Sequence, residues 1–188
     1  MYKVVALDLR GHGKSAAPSR EEEYSVQIFT DDVFALLRML NIKQCCLVGH
    51  SLGGFIALEF ALEHPGTLAA LVLVDTSSGE FARDPNYAEL RQRLDELARS
   101  QGMEAAFEYD AANNPQRVER FQKHPELREI TRQKMLMTSV DGFIHAAKAI
   151  NSQQSEVSSQ EGLGGTNDYR LNQTGAMKIY RSPMPFKL

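Results

Sequence analysis

The six residues Gly-His-Ser-Leu-Gly-Gly at positions 49–54 constrain the fold of this chain more than any other stretch. A short apolar run at residues 45–48 precedes them and predicts a buried strand. The apolar run at residues 55–62 follows them and predicts a helix that is buried on nearly every side. A serine between two glycines, at a strand-to-helix turn, is the Gly-x-Ser-x-Gly pattern of a nucleophile elbow.

Four residues of this turn have a predicted role. The serine backbone of such a turn is strained, and we expect the oxygen of Ser51 to project from the sheet as a nucleophile. Gly49 and Gly53 are expected to remove side chains that would collide with the turn. The backbone N–H of Leu52 would face a developing oxyanion, and the start of the helix adds partial positive charge there. The alternative interpretation, an ordinary turn rich in glycine and serine, is disfavoured by the strand–turn–helix context.

Two further apolar runs, residues 2–9 and 68–75, predict buried parallel strands. A helix is predicted from an N-cap at Ser25 to about Leu40, and Asn41 suits its end. The order is therefore strand, helix, strand, helix, strand, which indicates the α/β class. In open parallel sheets ligands bind at the carboxyl ends of the strands, where the elbow lies.

The chain divides into three predicted segments: a core at residues 1–79, a helical segment at 80–150 and a tail at 151–188. Leucines 90, 94 and 97 share one face of a helix that Gly102 could close. The run Asn113-Asn114-Pro115 is expected to break the chain, and further short helices are expected up to about residue 150. Short helices inserted after a sheet strand suggest a lid that selects substrates, and the alternative is an ordinary helical subdomain. The tail is rich in Ser, Gln, Gly and Asn, so we expect it to be irregular and poorly ordered.

Composition excludes several other function classes. The net charge of −3 over 188 residues gives no reason to expect nucleic acid or an anionic membrane as a partner. The two cysteines, Cys45 and Cys46, are adjacent in a predicted strand, so we expect two buried, unpaired thiols and a reducing compartment. No metal-ligand spacing is present, and neither a metal nor a cofactor is predicted. The N-terminal apolar run is too short for a signal peptide or a membrane span, which predicts a cytoplasmic protein.

Three blocks of the sequence together resemble the α/β-hydrolase family: residues 8–15 (Asp-Leu-Arg-Gly-His-Gly-Lys-Ser), the elbow, and residues 71–75 (Leu-Val-Leu-Val-Asp). The chain looks most like the lid-bearing members, which include enol-lactonases, esterases and carbon–carbon bond hydrolases, over about residues 2–150. The resemblance implies that Ser51 attacks an ester, lactone or similar small-molecule substrate and that the Leu52 N–H forms half of the oxyanion hole. It also implies a structural role for Asp8, and either a structural role or that of the catalytic acid for Asp75.

The resemblance also leaves three family parts unassigned, and each has a physical consequence. The strands and loop that supply the second oxyanion donor are missing, and no catalytic histidine follows the helical segment; the last histidine is His145. The third missing part is a sheet strand, which leaves open sheet edges that favour self-association. We therefore expect the central part of an α/β-hydrolase with an incomplete sheet, from a truncated gene model, a splice product or a frameshift. Such a chain would be weakly active or inactive, and the alternative is a non-catalytic interaction protein.

Overall fold

The computed structural model describes residues 3–74, 76, 85–157 and 178–181. Their helices and strands, in chain order, are α1 (Val26–Met39), β1 (Cys45–His50), α2 (Leu52–Glu63), β2 (Leu68–Val74), α3 (Pro85–Gln101), α4 (Met103–Asn113), α5 (Pro115–Lys123), α6 (Glu126–Leu136), α7 (Val140–Val157) and β3 (Lys178–Arg181). Two short 3-10 helices, Glu21–Glu23 and Pro65–Thr67, complete this set.

The chain divides into two compact units. The first unit comprises Met1–Tyr24 and Phe81–Lys148, and the second comprises Ser25–Glu80 and Ala149–Leu188. The helical segment therefore shares a unit with the N-terminal residues, whereas the elbow lies in the other unit. The three segments predicted from the sequence divide the chain differently and remain a prediction.

The helices of the first unit begin and end where the sequence indicates. Gly102 has a φ of +87°, which separates α3 from α4. Asn114 caps α5 by accepting the N–H of Gln116, and Pro115 fills the first helical position, where no N–H is needed. The core between α3 and α4 consists of residues that are at most 8% exposed: Leu94, Leu97, Ala98, Met103 and Ala106.

The N-terminal residues of the first unit are not a strand. Lys3–Leu9 has no strand pairing, and Val4 is 87% exposed. The prediction of a buried strand over residues 2–9 is therefore wrong for the described residues 3–9. A strand needs a neighbour for its backbone N–H and C=O groups, and no strand in the described part of the chain lies beside this segment.

The second unit packs α1 against α2 and α2 against the sheet. The predicted start of α1 is confirmed, because the Ser25 side chain accepts the N–H of Ile28. Asn41 follows the helix with a φ of +54°, the conformation that its sequence context suggested. Phe29, Val33, Ile56 and Phe60 are at most 5% exposed and fill the helical part of the core. Leu62, near the end of α2, is 68% exposed, whereas the other residues of the apolar run 55–62 are buried or partly buried.

The sheet has the order β1-β2-β3. β1 and β2 pair in parallel, with Val48 opposite Val72, and both strands were predicted. β3 pairs with β2 in the antiparallel direction and was not predicted, because its residues, Ile179 and Tyr180 among them, form too short an apolar run. Among the described residues no strand pairs with the other side of β1, so that edge is open.

One face of β1 is also open. Leu47 packs on the cluster formed by Ala57, Leu71 and Leu73, whereas Val48 on the opposite face is 65% exposed. Cys46 shares this exposed face and Cys45 is partly exposed, so the prediction of two buried thiols is wrong. The two cysteines form no disulfide, as expected for adjacent residues whose side chains lie on opposite faces of a strand.

The tail is only partly described. The last helix, α7, continues to Val157, seven residues beyond the end predicted at Ile150, and β3 lies further along the chain. The rest of the predicted irregular tail, including Asp168, lies outside the described residues. No helix within the described ranges has the length and apolar character needed to cross a membrane.

Candidate active site

The turn between β1 and α2 holds Ser51 in an unusual backbone conformation. Its φ of 51° and ψ of −116° place a residue with a side chain at positive φ, which is sterically disfavoured. Two backbone contacts hold it there: the Ser51 N–H donates to the Val74 carbonyl over 3.0 Å, and the Ser51 carbonyl accepts the Gly54 N–H over 2.8 Å. The strained strand-to-helix geometry predicted for the elbow is therefore present.

The glycines of the turn differ in how much space a Cβ would have at each position. A Cβ at position 49 would meet the carbonyl group of Gly53, so the predicted need for Gly49 is confirmed. A Cβ at position 53 would meet no described atom within 4 Å, so the collision expected there is absent. The second crowded position is instead Gly54, where a Cβ would collide with the side chain of Thr76. Thr76 follows the end of β2, a spatial neighbour that a local motif could not identify.

Leu52 is the first residue of α2, and its position agrees with the predicted oxyanion donor. The first N–H groups of a helix have no intrahelical acceptor, so they are available to a ligand. They also carry the partial positive charge of the helix dipole, which favours a developing negative charge. Its role in an oxyanion hole remains a prediction.

The side chain of Ser51 is exposed. Within the described ranges, no hydrogen bond joins its Oγ to another side chain. A serine hydroxyl needs an adjacent base to become a strong nucleophile. The part of the site that is described therefore consists of the strained serine and the start of α2.

Three of the five histidines lie in the first unit, and two of them, His12 and His145, have the following contacts. The Nδ1 atom of His12 is 3.0 Å from the Arg10 carbonyl oxygen. His145 is 6% exposed, and its ring centroid is 5.5 Å from that of Tyr24. Its Nδ1 is 3.7 Å from a Glu21 carboxylate oxygen, beyond hydrogen-bond distance. Burial raises the pKa of the neighbouring Tyr24 hydroxyl.

The other three histidines are His50, His64 and His124. His64 stacks on Phe34 with 3.8 Å between ring centroids, and this packing explains its position at the end of α2. His124 is exposed near Glu126, with 3.4 Å between Nδ1 and the carboxylate. His50, the residue before Ser51, is exposed at the end of β1. Among the described residues, no histidine is hydrogen-bonded to the side chain of Ser51.

The structure describes Asp8, for which a structural role was expected, but not Asp75, the candidate acid. Asp75 lies outside the described residues, so its predicted role is untested. Asp8 has structural contacts, since its carboxylate accepts the Lys14 N–H over 3.0 Å and its carbonyl accepts the Ser15 hydroxyl over 2.6 Å. A Cβ on Gly13 would collide with the Asp8 carboxylate, which explains why a glycine follows within this block. The contacts of Asp8 with residues 13–15 therefore close a loop.

No metal ligand set is formed by the described residues, in which no cluster of three His, Cys, Asp or Glu side chains could hold an ion. The thiol of Cys45, in the strand that leads to Ser51, has its pKa raised, chiefly by burial and also by the neighbouring Cys46.

Comparison with known proteins gives consistent matches. A family model described as alpha/beta hydrolase fold matches residues 1–158. Epoxide hydrolase 3 of Xenopus tropicalis is 43% identical over 74 residues, which are 39% of this chain and 20% of that protein. A structure from work on carboxylesterases of the thaumarchaeon Nitrososphaera gargenis has a TM-score of 0.66 and 30% identity, covering 77% of this chain and 52% of that one.

The enol-lactonase of Burkholderia xenovorans LB400 has a TM-score of 0.62 and 25% identity, over 77% of this chain and 53% of the enzyme. The chain therefore spans about half the length of these solved structures and about a fifth of the epoxide hydrolase.

Proposed function

Because the chain belongs to the alpha/beta hydrolase family, we propose that it is a serine hydrolase in which Ser51 attacks the carbonyl of an ester, a lactone or a similar small molecule. One observation carries this proposal: an exposed serine at positive φ, between a parallel strand and the first residue of a helix. That conformation costs about 1–3 kcal/mol, and such strain is concentrated at functional sites.

The proposed reaction has two balanced steps. Ser51 Oγ bonds to the carbonyl carbon, its proton goes to a base or to water, and the alcohol oxygen leaves with a proton to give an acyl-enzyme. Water then adds to the acyl carbon and the serine leaves, which releases the acid and regenerates the hydroxyl. In both steps the carbonyl oxygen becomes negative, and the N–H of Leu52 would stabilise it. Residues 80–150 would act as the lid that selects the substrate.

The chemistry of serine favours a carbonyl substrate over an epoxide. If Ser51 opened an epoxide, the product would be an alkyl ether of serine, which water does not readily cleave. An acyl ester of serine is cleaved by the second step above, so the enzyme turns over. We therefore expect this chain to act on a carbonyl group and not on an epoxide.

We expect the activity to be low. No base is hydrogen-bonded to Ser51 among the described residues, and the acid proposed at Asp75 is untested. Removing a triad member from a serine hydrolase can lower kcat by as much as about 10⁶-fold. A chain with a strained serine and one oxyanion donor would still form an acyl-enzyme with an activated ester.

Hydrolysis of p-nitrophenyl acetate, together with intact-mass detection of a fluorophosphonate adduct, tests the proposal. We expect the wild type to exceed background hydrolysis and to gain one adduct at Ser51, and Ser51→Ala to lose both signals. Ser100→Ala is the matched control, because Ser100 is exposed on α3 and bonds only its own helix at the Glu96 carbonyl. Equal rates for the wild type and Ser51→Ala, with no adduct, would reject the hydrolase proposal.

The second candidate is a non-catalytic interaction protein that retains the elbow as part of its fold. The open edge and exposed face of β1 favour it, because unpaired strand edges bind other strands. The occupant we propose is a second copy of this chain, and the measurement that tests it is the oligomeric state. An active Ser51 and an associating β1 are compatible, so the two tests are independent.

A further inference from the structure

A cavity of about 130 Å³ lies among the helices of the first unit. Its lining residues come from α3, α4, α5, α6 and α7, all within the described part of the chain. None of them belongs to the elbow, so an inference from this cavity does not depend on the proposed activity of Ser51.

Arg91 lines the cavity and carries a donor that has no partner. Its guanidinium carbon is 3.9 Å from the centroid of the Phe143 ring, and one terminal nitrogen donates to Asp95 and to the Phe143 carbonyl. The Nε–H of the same side chain is fully buried and has no acceptor among the described residues. A buried N–H without a partner is costly, so an acceptor that enters the cavity would be favoured.

Arg117 brings further donors to the same cavity. Its Nε donates to the Asp110 carboxylate over 2.9 Å, and Asn114 donates to the other carboxylate oxygen over 2.8 Å. Asp110 is only 5% exposed, so this pairing fixes the direction of the guanidinium. In the described structure the terminal nitrogens of Arg117 have no hydrogen bond, and they remain available to a ligand.

The rest of the lining sets the shape of a ligand. Apolar side chains, namely Leu90, Leu94, Met135 and Phe143, cover much of the wall. The volume is that of several water molecules, which suits a molecule with a short apolar body. Asp110 also lines the cavity, and its negative charge repels a doubly charged anion more strongly than a singly charged one.

We propose that this cavity binds a small monocarboxylic acid. The carboxylate would accept hydrogen bonds from the Nε–H of Arg91 and from the terminal N–H groups of Arg117, because guanidinium groups bind carboxylates through paired N–H donors. The short carbon chain would lie against Leu90 and Met135. The site thus adds a ligand-binding role to the helical segment.

Titration of the full chain with butyrate, followed through the methyl resonance of Met135 and by calorimetry, tests this proposal. We expect saturable binding that is at least tenfold tighter than that of butyramide, which has the same shape without the charge. Inorganic phosphate should bind more weakly than butyrate because of its second charge. Ser51→Ala should bind butyrate as the wild type does, which separates this result from the test of hydrolysis.

Two variants locate the ligand. Arg117→Lys keeps a cation beside Asp110 but loses the guanidinium fork, and it should weaken butyrate binding at least fivefold. Arg93→Lys is the matched control, because Arg93 lies on α3 outside the cavity and should leave the affinity unchanged. If circular dichroism shows that Arg117→Lys does not fold, Leu90→Phe is measured in its place. The larger side chain should fill the cavity and abolish binding without a change in charge. Binding that persists in both variants, equal affinity for butyramide, or no saturable binding in the millimolar range would overturn the proposal.

Discussion

The positive φ of Ser51 follows from the hydrogen bonds that its backbone makes to the two elements beside it. The N–H of Ser51 bonds to the end of β2, and its carbonyl begins the hydrogen bonding of α2. The backbone must therefore turn from strand to helix within one residue, at positive φ. Gly49 and Gly54 make room for that turn. The strain and the exposed hydroxyl thus have the same origin.

The single substitutions Gly53→Ala and Gly54→Ala should distinguish the effect of steric crowding on stability from the effect of helix propensity. Gly54→Ala should lower the free energy of unfolding by about 1–3 kcal/mol, because its Cβ would collide with Thr76 in a packed region. Gly53→Ala meets no described atom and should raise stability by up to about 1 kcal/mol, since alanine favours a helix more than glycine does. Urea unfolding followed by circular dichroism measures both. Equal destabilisation by the two variants would contradict this account of the turn.

The pH dependence of Ser51 acylation should reveal whether a base assists it. Without a base, the reactive species is the alkoxide, whose fraction rises about tenfold per pH unit between pH 6 and 9. A histidine base would instead give a rate that levels off above its pKa, normally about 6.5. We expect the first profile for fluorophosphonate labelling of the wild type, measured by intact mass and corrected for the reagent's own hydrolysis. A plateau near pH 7 would show that a base reaches Ser51.

At the scale of elements, the loop of residues 9–16 joins the turn between α6 and α7 inside the first unit. The Gly13 N–H donates to the Met137 carbonyl over 2.9 Å, and the Ser139 N–H donates to the Gly11 carbonyl over 2.8 Å. Ser139 Oγ also accepts the N–H of Gly142, at the start of α7. A Cβ at position 11 would lie 2.5 Å from the Gly142 Cα, so the two backbones touch.

Gly142→Ala should disrupt this contact. Its Cβ would lie 2.5 Å from the Gly11 Cα, which is backbone that cannot rotate away, so we expect a loss of about 1–3 kcal/mol in stability. Hydrogen exchange at the amides of Gly13 and Ser139 should accelerate at the same time. Gly66→Ala is the matched control, since a Cβ there meets nothing within 4 Å. Unchanged exchange in Gly142→Ala would show that the loop does not need this approach.

Local signals predicted the elements whose causes are local. The N-cap at Ser25, the glycine at position 102 and the Asn-Pro pair at 114–115 all act within a few residues, and the helices begin and end there. The elbow was likewise predictable, because its strand, turn and helix are adjacent in sequence. The need for Gly54, by contrast, arises from Thr76, which is distant in the chain.

Predictions that depended on a neighbouring strand or layer failed. Residues 3–9 have a strand-like composition, yet no described strand pairs with them. Cys46 was expected to be buried because its strand is apolar, but burial also requires a layer over that face. β3 pairs over Lys178–Arg181 although its sequence is too short to signal a strand, because β2 supplies the hydrogen bonds.

At the scale of the whole molecule, the sheet of the second unit is small. The described strands number three, β1 has an open edge, and Val48 on its exposed face is 65% accessible to solvent. Apolar residues on an unpaired strand favour association with another strand, because pairing satisfies the backbone groups and removes apolar surface from water. The chain covers about half of the solved structures it resembles. A second copy could pair with the edge of β1 that no described strand occupies.

Sedimentation velocity over a range of concentrations should therefore show self-association of the wild type. Val48→Lys should shift the population to monomer, since a lysine on an edge strand opposes pairing. Met39→Lys is the matched control: Met39 is 80% exposed but lies on α1, so the same added charge should leave association unchanged. If the two variants associate alike, the contact does not involve β1. If association persists only in the control and the rate of ester hydrolysis per chain rises with it, a second copy assists Ser51 as well as completing the sheet.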